Sequence, residues 1–256
     1  MSEELQFHIK LSQADGARYA ILPGDPGRVP RIAGYLDRPE PVAQNREYTS
    51  WKGYIEDEKV LVISSGIGGP SASICVEELA NVGVDTIIRI GTCGGMAGNV
   101  NPGDVVIANA AIRMEGTSKE YLPIEFPAVA DFYVTKALDQ AAKNVGVPSH
   151  LGVVQCKDAF YGQHAPETMG CAEELKYKWQ AWIRGGCLAS EMESAALYTV
   201  AAVRRLRAGA VFHVVWNQEQ AGIGMPQQRT EDVTKAIMTA VEAIRLLIEE
   251  DRRLGR

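Results

Sequence analysis

The sequence predicts an α/β fold: a single domain over residues 1–256, with a central mixed, largely parallel twisted sheet flanked by helices. Three observations carry this. Short apolar runs rich in β-branched residues recur along the chain, stretches with apolar residues at three- and four-residue spacing lie between them, and glycine-rich turns join the two.

The first strand covers Tyr19–Leu22 and enters the turn Pro23-Gly24-Asp25-Pro26-Gly27-Arg28, which leads into a helix. A second strand at Val60–Ser64 ends in Ser65-Gly66-Ile67-Gly68-Gly69, and a helix follows over Pro70–Val82, with Pro70 suited to a first helical position. Further strands fall at Thr86–Ile90, Asp104–Ala108, Gly152–Gln155 and Ala210–Val215; their near-continuous apolarity suits strands buried on both faces. Helices are expected at Ala128–Val145, stopped by Gly146 and Pro148, at Glu191–Arg205 and at Thr230–Arg252. The segments Glu115–Pro127 and Phe160–Pro166 read as long irregular loops, the kind that carry function.

Composition narrows the function. With 26 basic and 32 acidic residues the chain is net −6, so it has no global attraction for nucleic acid or an anionic membrane, and any anion site must be local. No apolar run is long enough to cross a bilayer, and the first residues lack the apolar segment of a signal peptide, which leads us to expect a cytoplasmic protein. Five widely spaced cysteines without a CxxC pair, and four histidines without HExxH, argue against a disulfide framework and a structural zinc.

The glycine turns admit two readings each. Gly24 and Arg28 make either a tight strand-to-helix turn or an oxyanion cradle of backbone N–H groups and a guanidinium fork. Ser64–Ser71 is a defective dinucleotide fingerprint, since Ser71 replaces the third glycine and Asp85 precedes a strand instead of ending one; its plain reading is a turn for close helix packing. In Arg89-Ile90-Gly91-Thr92-Cys93-Gly94-Gly95 an arginine ends an apolar strand, where it must be paired with a carboxylate or hold an anion. There is no Walker lysine motif. Ser190-Glu191-Met192-Glu193 fits a helix capping box, or alternatively a carboxylate pair gripping sugar hydroxyls.

Taken together, PGDPGR, Arg46-Glu47-Tyr48, GIGGPS, RIGTCGG, Glu125–Phe132, Phe160-Tyr161-Gly162-Gln163 and EMES resemble the nucleoside phosphorylase I family, and most of all its uridine-cleaving members. The resemblance runs from Phe7-His8 to Asn217 and implies a phosphorylase/hydrolase-like fold that converts uridine and phosphate to uracil and ribose 1-phosphate. It implies that Gly24, Arg28, Arg89 and Thr92 hold phosphate, with Arg46 reaching in from a neighbouring subunit. Glu191, Met192 and Glu193 would hold the ribose together with a neighbour's His8, while Phe160, Gln163, His164 and Val215 would form the base pocket. Arg89, Glu193 and Gln163 are the residues expected to carry the chemistry. No cofactor is implied beyond phosphate as co-substrate, although Glu47, Ile67 and Ser71 match residues with which some relatives bind a monovalent cation. Borrowed residues imply a homo-oligomer, with dimers assembled into a hexamer.

Two departures from the family pattern bear on the base. Ala165 stands where uridine-cleaving members carry an arginine, so His164 is a candidate donor to the uracil O4. Asn217 stands where purine-specific members place an aspartate acid, which favours a pyrimidine, and Gln218 replaces a further arginine. The competing readings are a purine phosphorylase, a hydrolytic nucleosidase and a non-catalytic nucleoside sensor.

Overall fold

In the computed structural model, which describes residues 4–256, the chain begins with β1 (Tyr19–Pro23), α1 (Val29–Ala33), the strands β2 (Asp37–Asn45), β3 (Tyr48–Ile55) and β4 (Glu58–Ile63), and α2 (Gly69–Asn81). It continues through β5 (Thr86–Gly95), β6 (Val105–Met114), α3 (Thr117–Tyr121), β7 (Ala128–Val129), α4 (Phe132–Val145), β8 (Ser149–Lys157), α5 (Phe160–His164) and α6 (Ala172–Arg184). The last elements are β9 (Ala189–Glu191), α7 (Ser194–Arg204), β10 (Arg207–Asn217), α8 (Gln218–Gly222) and α9 (Thr234–Leu254).

The strands form one mixed sheet. β4, β1, β5 and β10 run parallel and adjacent, and the β2–β3 hairpin extends the β4 edge. On the other flank β10 pairs antiparallel with β6, β6 runs parallel to β8, and β8 parallel to β9. β9 then pairs antiparallel with Gly94 and Gly95 at the end of β5, so the sheet closes on itself through β5, β10, β6, β8 and β9. The closure depends on a small residue: a side chain at Gly95 would stand 2.8 Å from the Asn217 amide nitrogen.

Alternation along the strands splits the core in two. Ala20 and Leu22 of β1 face α2 and α7, whereas Tyr19 and Ile21 face α1, α4 and α9. α7 is buried from Ser194 to Ala201, as a helix apolar on every side must be. Among the described residues no helix is long and apolar enough to cross a membrane.

Several expected boundaries move, each for a local reason. β2 carries Pro39 and Pro41 and therefore gives little strand signal, yet prolines are tolerated there because it is the outermost strand. The helix expected from Ala128 starts at Phe132, because the Asp131 carboxylate caps it by accepting the Val134 N–H at 2.9 Å, while Ala128–Val129 pairs with β6. The C-terminal helix starts at Thr234, not Thr230.

Near its end α9 is pinned to the sheet by Asp251. Its carboxylate, 2% exposed, accepts hydrogen bonds from the Tyr19 hydroxyl at 2.7 Å and from both terminal nitrogens of Arg207 at 2.5 and 2.9 Å. Burial alone would raise the Asp251 pKa, but the Arg207 and Tyr19 bonds outweigh it and hold the carboxyl below its usual range. Asp251→Ala is expected to cost about 3 kcal/mol in urea denaturation near neutral pH, because it leaves the Tyr19 hydroxyl without its acceptor and Arg207 with only Thr86 and the more distant Asp85. A depressed folded-state pKa means that this stabilisation is complete above the unfolded value of about 3.9 and is lost as pH falls through the folded one. The gap between wild type and variant should therefore narrow in acid.

Candidate active site

A cavity of about 680 Å³ opens where the ends of β1, β4, β8, β9 and β10 meet the middle of β5. Gly24, Arg28, Arg89, Thr92, Phe160, Gln163, His164, Glu191, Met192, Glu193 and Val215 all line it, so residues drawn from distant parts of the sequence converge on one space.

One end is cationic. Arg89, 4% exposed, donates to Glu193 in a close ion pair and to the Ser65 hydroxyl at 3.4 Å, while its Nε has no hydrogen-bond partner in the protein. Arg28 ends a short 3-10 turn, Pro26–Arg28, that is capped by the Asp25 carboxylate accepting the Gly27 N–H at 2.8 Å. Burial pushes the Arg28 guanidinium pKa down; Asp25, only 3.8 Å away, opposes this, and the Arg89 charge adds to it. Two guanidinium groups that repel across a cavity form a place for an anion. Gly24 keeps the backbone close, since a side chain there would meet the Gly66 carbonyl at 3.1 Å.

Carboxylates occupy the middle. Glu193 accepts the Gly68 N–H at 2.7 Å besides pairing with Arg89. Gly68 presents that N–H from a left-handed conformation (φ +89°) that disfavours a side chain. Glu191 accepts N–H bonds from Glu193 at 2.8 Å and Ser194 at 3.0 Å, and its Oε2 lies 3.9 Å from Arg89 Nε. Burial, and next the Glu193 charge, push the Glu191 carboxyl up.

This geometry corrects the capping-box reading. The helix starts at Ser194, not Glu191; Glu191 closes β9 and its carboxylate takes the capping role. The Ser190 hydroxyl accepts from Lys157 Nζ at 2.6 Å and lies 2.7 and 2.9 Å from the side-chain oxygens of Gln155 and Gln163.

The far end combines rings and amides. Gln163 is 6% exposed, and its amide is held by Gln218 Oε1 at 3.2 Å. The exposed His164 ring packs on Phe160 (centroids 4.4 Å apart) at the cavity mouth, and its nitrogens have no protein partner among the described residues. Partial burial, then the Lys157 charge, lower the His164 pKa and favour the neutral ring.

Some expected residues lie elsewhere. Asn217 does not line the cavity: its amide donates to the carbonyls of Ala97 and Val100, both at 2.8 Å, and its oxygen caps α8 by accepting from Glu219 and Gln220. His8 is bonded to Glu78 at 2.6 Å and Arg46 is exposed on the β2–β3 turn with φ +53°; neither lines this chain's own cavity. Glu47, Ile67 and Ser71 line the rim, and the Ser71 hydroxyl donates to Glu47 at 2.7 Å, a bond that lowers the carboxyl pKa and keeps it ionised. No cluster of three or more His, Cys, Asp or Glu able to hold a metal occurs among the described residues.

The motif reading passed over Lys157, Ser65 and Arg229, which line or brace the cavity. Lys157 carried a usable signal, because like Arg89 it is a lone cation in a largely apolar strand.

A cationic end, buried carboxylates and an aromatic–amide end in one cavity, set on this partly closed sheet, define an α/β protein with a polar small-molecule site. The family model of the Phosphorylase superfamily matches residues 18–250, and the chain belongs to that family. It is 52% identical to a uridine phosphorylase of Treponema pallidum over 98% of this chain and 97% of that protein. It is 42% identical to the uridine phosphorylase of Escherichia coli over 97% of this chain and all of that protein, and 38% identical to a guanosine phosphorylase of Halorubrum lacusprofundi over 94% and 99%.

Proposed function

We propose that the protein phosphorolyses uridine to uracil and ribose 1-phosphate. The observation that carries this is the pair of guanidinium groups, Arg28 and Arg89, at one end of the cavity, with the Arg89 Nε free of hydrogen bonds to the protein. A hydrolase acting with water needs no such pair. The relatives named uridine phosphorylase, matched over nearly the whole chain, support the choice of nucleoside.

In this reading Gly24, Arg28, Arg89 and Thr92 bind phosphate below C1′, joined by Arg46 of a neighbouring subunit. Glu191, Met192 and Glu193 hold the ribose, with His8 of that neighbour at its 5′-hydroxyl. Phe160, Gln163, His164 and Val215 receive the base. Breaking the glycosidic bond gives the sugar oxocarbenium character, which the phosphate dianion stabilises, so no covalent nucleophile on the protein is required. Positioning of phosphate by the arginines supplies much of the rate. The shared residues support a homo-oligomer, as dimers assembled into a hexamer, and the reading includes a cytoplasmic location. Glu47, Ile67 and Ser71 would hold a monovalent cation at the cavity rim, a reading supported by the ionised Glu47 carboxylate beside the Ser71 hydroxyl.

Ultraviolet assays with uridine and with inosine, each with and without phosphate, test the proposal. Uracil release only when phosphate is present is expected. Phosphate-independent cleavage would make the protein a nucleosidase, preference for inosine a purine enzyme, and binding without turnover a sensor. Arg28→Ala should raise the phosphate KM roughly 10- to 100-fold, with kcat recovered at saturating phosphate and the melting temperature unchanged, because Arg28 is partly exposed and only loosely paired.

A further inference from the structure

Lys157 is the last residue of β8, 5% exposed, and it lines the active-site cavity beside Gln163. A second cavity of about 420 Å³, walled by Met114, Leu175 and Trp179, lies behind Gln163, and Lys157 lines that one too. Its Nζ donates to the Ser190 hydroxyl at 2.6 Å and makes no ion pair among the described residues. An ammonium group carries three donors, so two remain for a ligand. A buried cation satisfied by one neutral hydroxyl is costly, which makes its position at the base end informative. Through Ser190 it belongs to the same hydrogen-bond chain as Gln163, and its charge reaches His164. Burial pushes the Lys157 pKa down, while the Glu191 carboxylate, the largest opposing influence, pulls it up.

Building on the uridine reading, we infer that Lys157 takes up the negative charge that develops on the departing base, by a hydrogen bond from its ammonium to a carbonyl oxygen of the pyrimidine. As the C1′–N1 bond breaks, its electron pair enters the ring and spreads onto the carbonyl oxygens, while a phosphate oxygen forms the new bond to C1′. The lysine keeps its proton throughout. Charge that appears only as the bond breaks is what a preorganised, desolvated donor stabilises best.

The test compares kcat/KM of the wild type, Lys157→Met and Lys157→Gln on uridine and 5-fluorouridine at saturating phosphate. Fluorouracil is the more acidic leaving group and needs less help. Both variants should lose about 100-fold or more on uridine and several-fold less on 5-fluorouridine, with phosphate KM and melting temperature maintained. An equal loss on both substrates would make Lys157 a positioning residue for Ser190 and Gln163 and overturn the inference, as would a loss below about threefold on uridine. The uridine reading fails separately, and takes this inference with it, if the wild type releases no uracil from uridine and phosphate.

Discussion

Arg89→Ala is expected to lower phosphorolysis by at least about a thousandfold even at saturating phosphate, and to destabilise the fold by about 3–5 kcal/mol. Both effects come from one position. The guanidinium is shared between the cavity and two buried carboxylates, Glu193 in direct contact and Glu191 with its oxygen 3.9 Å away. Without Arg89 those carboxylates face each other with backbone N–H groups and only the more distant Lys157 charge to balance them, and the Glu191 carboxyl, already pushed up, rises further. A folded-state pKa raised above the unfolded value gives stability that is present in acid and lost as pH rises through it. The penalty measured by urea denaturation should therefore grow as pH rises above the unfolded carboxyl value of about 4.3. Arg28→Ala, which leaves no buried carboxylate alone, should show no such trend. Near-normal turnover of Arg89→Ala with ample phosphate would remove Arg89 from the phosphate site, and a pH-independent stability loss would mean that the carboxylates rely on other partners.

Arg89 also shows why much of this site could be read from sequence. A guanidinium within an apolar strand is costly unless something binds it, and the two partners considered, a carboxylate and an anion, are compatible here: Glu193 takes one face and the cavity another. The same reasoning applied to Lys157 would have found it, but no glycine turn follows that strand to draw attention. The strands β1, β4, β5, β6 and β10 were legible because burial on both faces imposes near-continuous apolarity, whereas in β8 Leu151 is exposed. The β2–β3 hairpin was not, since Pro39 and Pro41 mask an exposed edge strand. Ser190-x-x-Glu193 matches a capping box in pattern but does not act as one: β9 extends the chain past Ser190, Glu193 turns to Gly68 and Arg89, and Glu191 caps the helix instead. Local pattern fixes which groups are available, and the closure of the sheet decides which of them meet.

Asn217 is the clearest instance and gives the second large expected effect. Its sequence position suggests a base-reading residue; in the fold, all its amide hydrogen-bonding capacity is spent on backbone, joining the Ala97–Val100 turn to the start of α8. Asn217→Asp is expected to destabilise the protein by about 2–4 kcal/mol and to confer no phosphorolysis of inosine. The carboxylate retains the acceptor that caps α8, but its other oxygen would stand where the amide nitrogen now donates to two carbonyls at 2.8 Å. It must either accept a proton or repel them. Protonation restores one donor, so the folded-state pKa lies above the unfolded one, and the deficit should be smallest near pH 4 and widen toward about pH 8. Because α8 carries Gln218, which holds the Gln163 amide, the uridine KM should rise along with the loss of stability. Purine turnover gained with an unchanged melting temperature would mean that residue 217 does face the base. In that case the choice of base would rest on it and not on Gln163 and its neighbours.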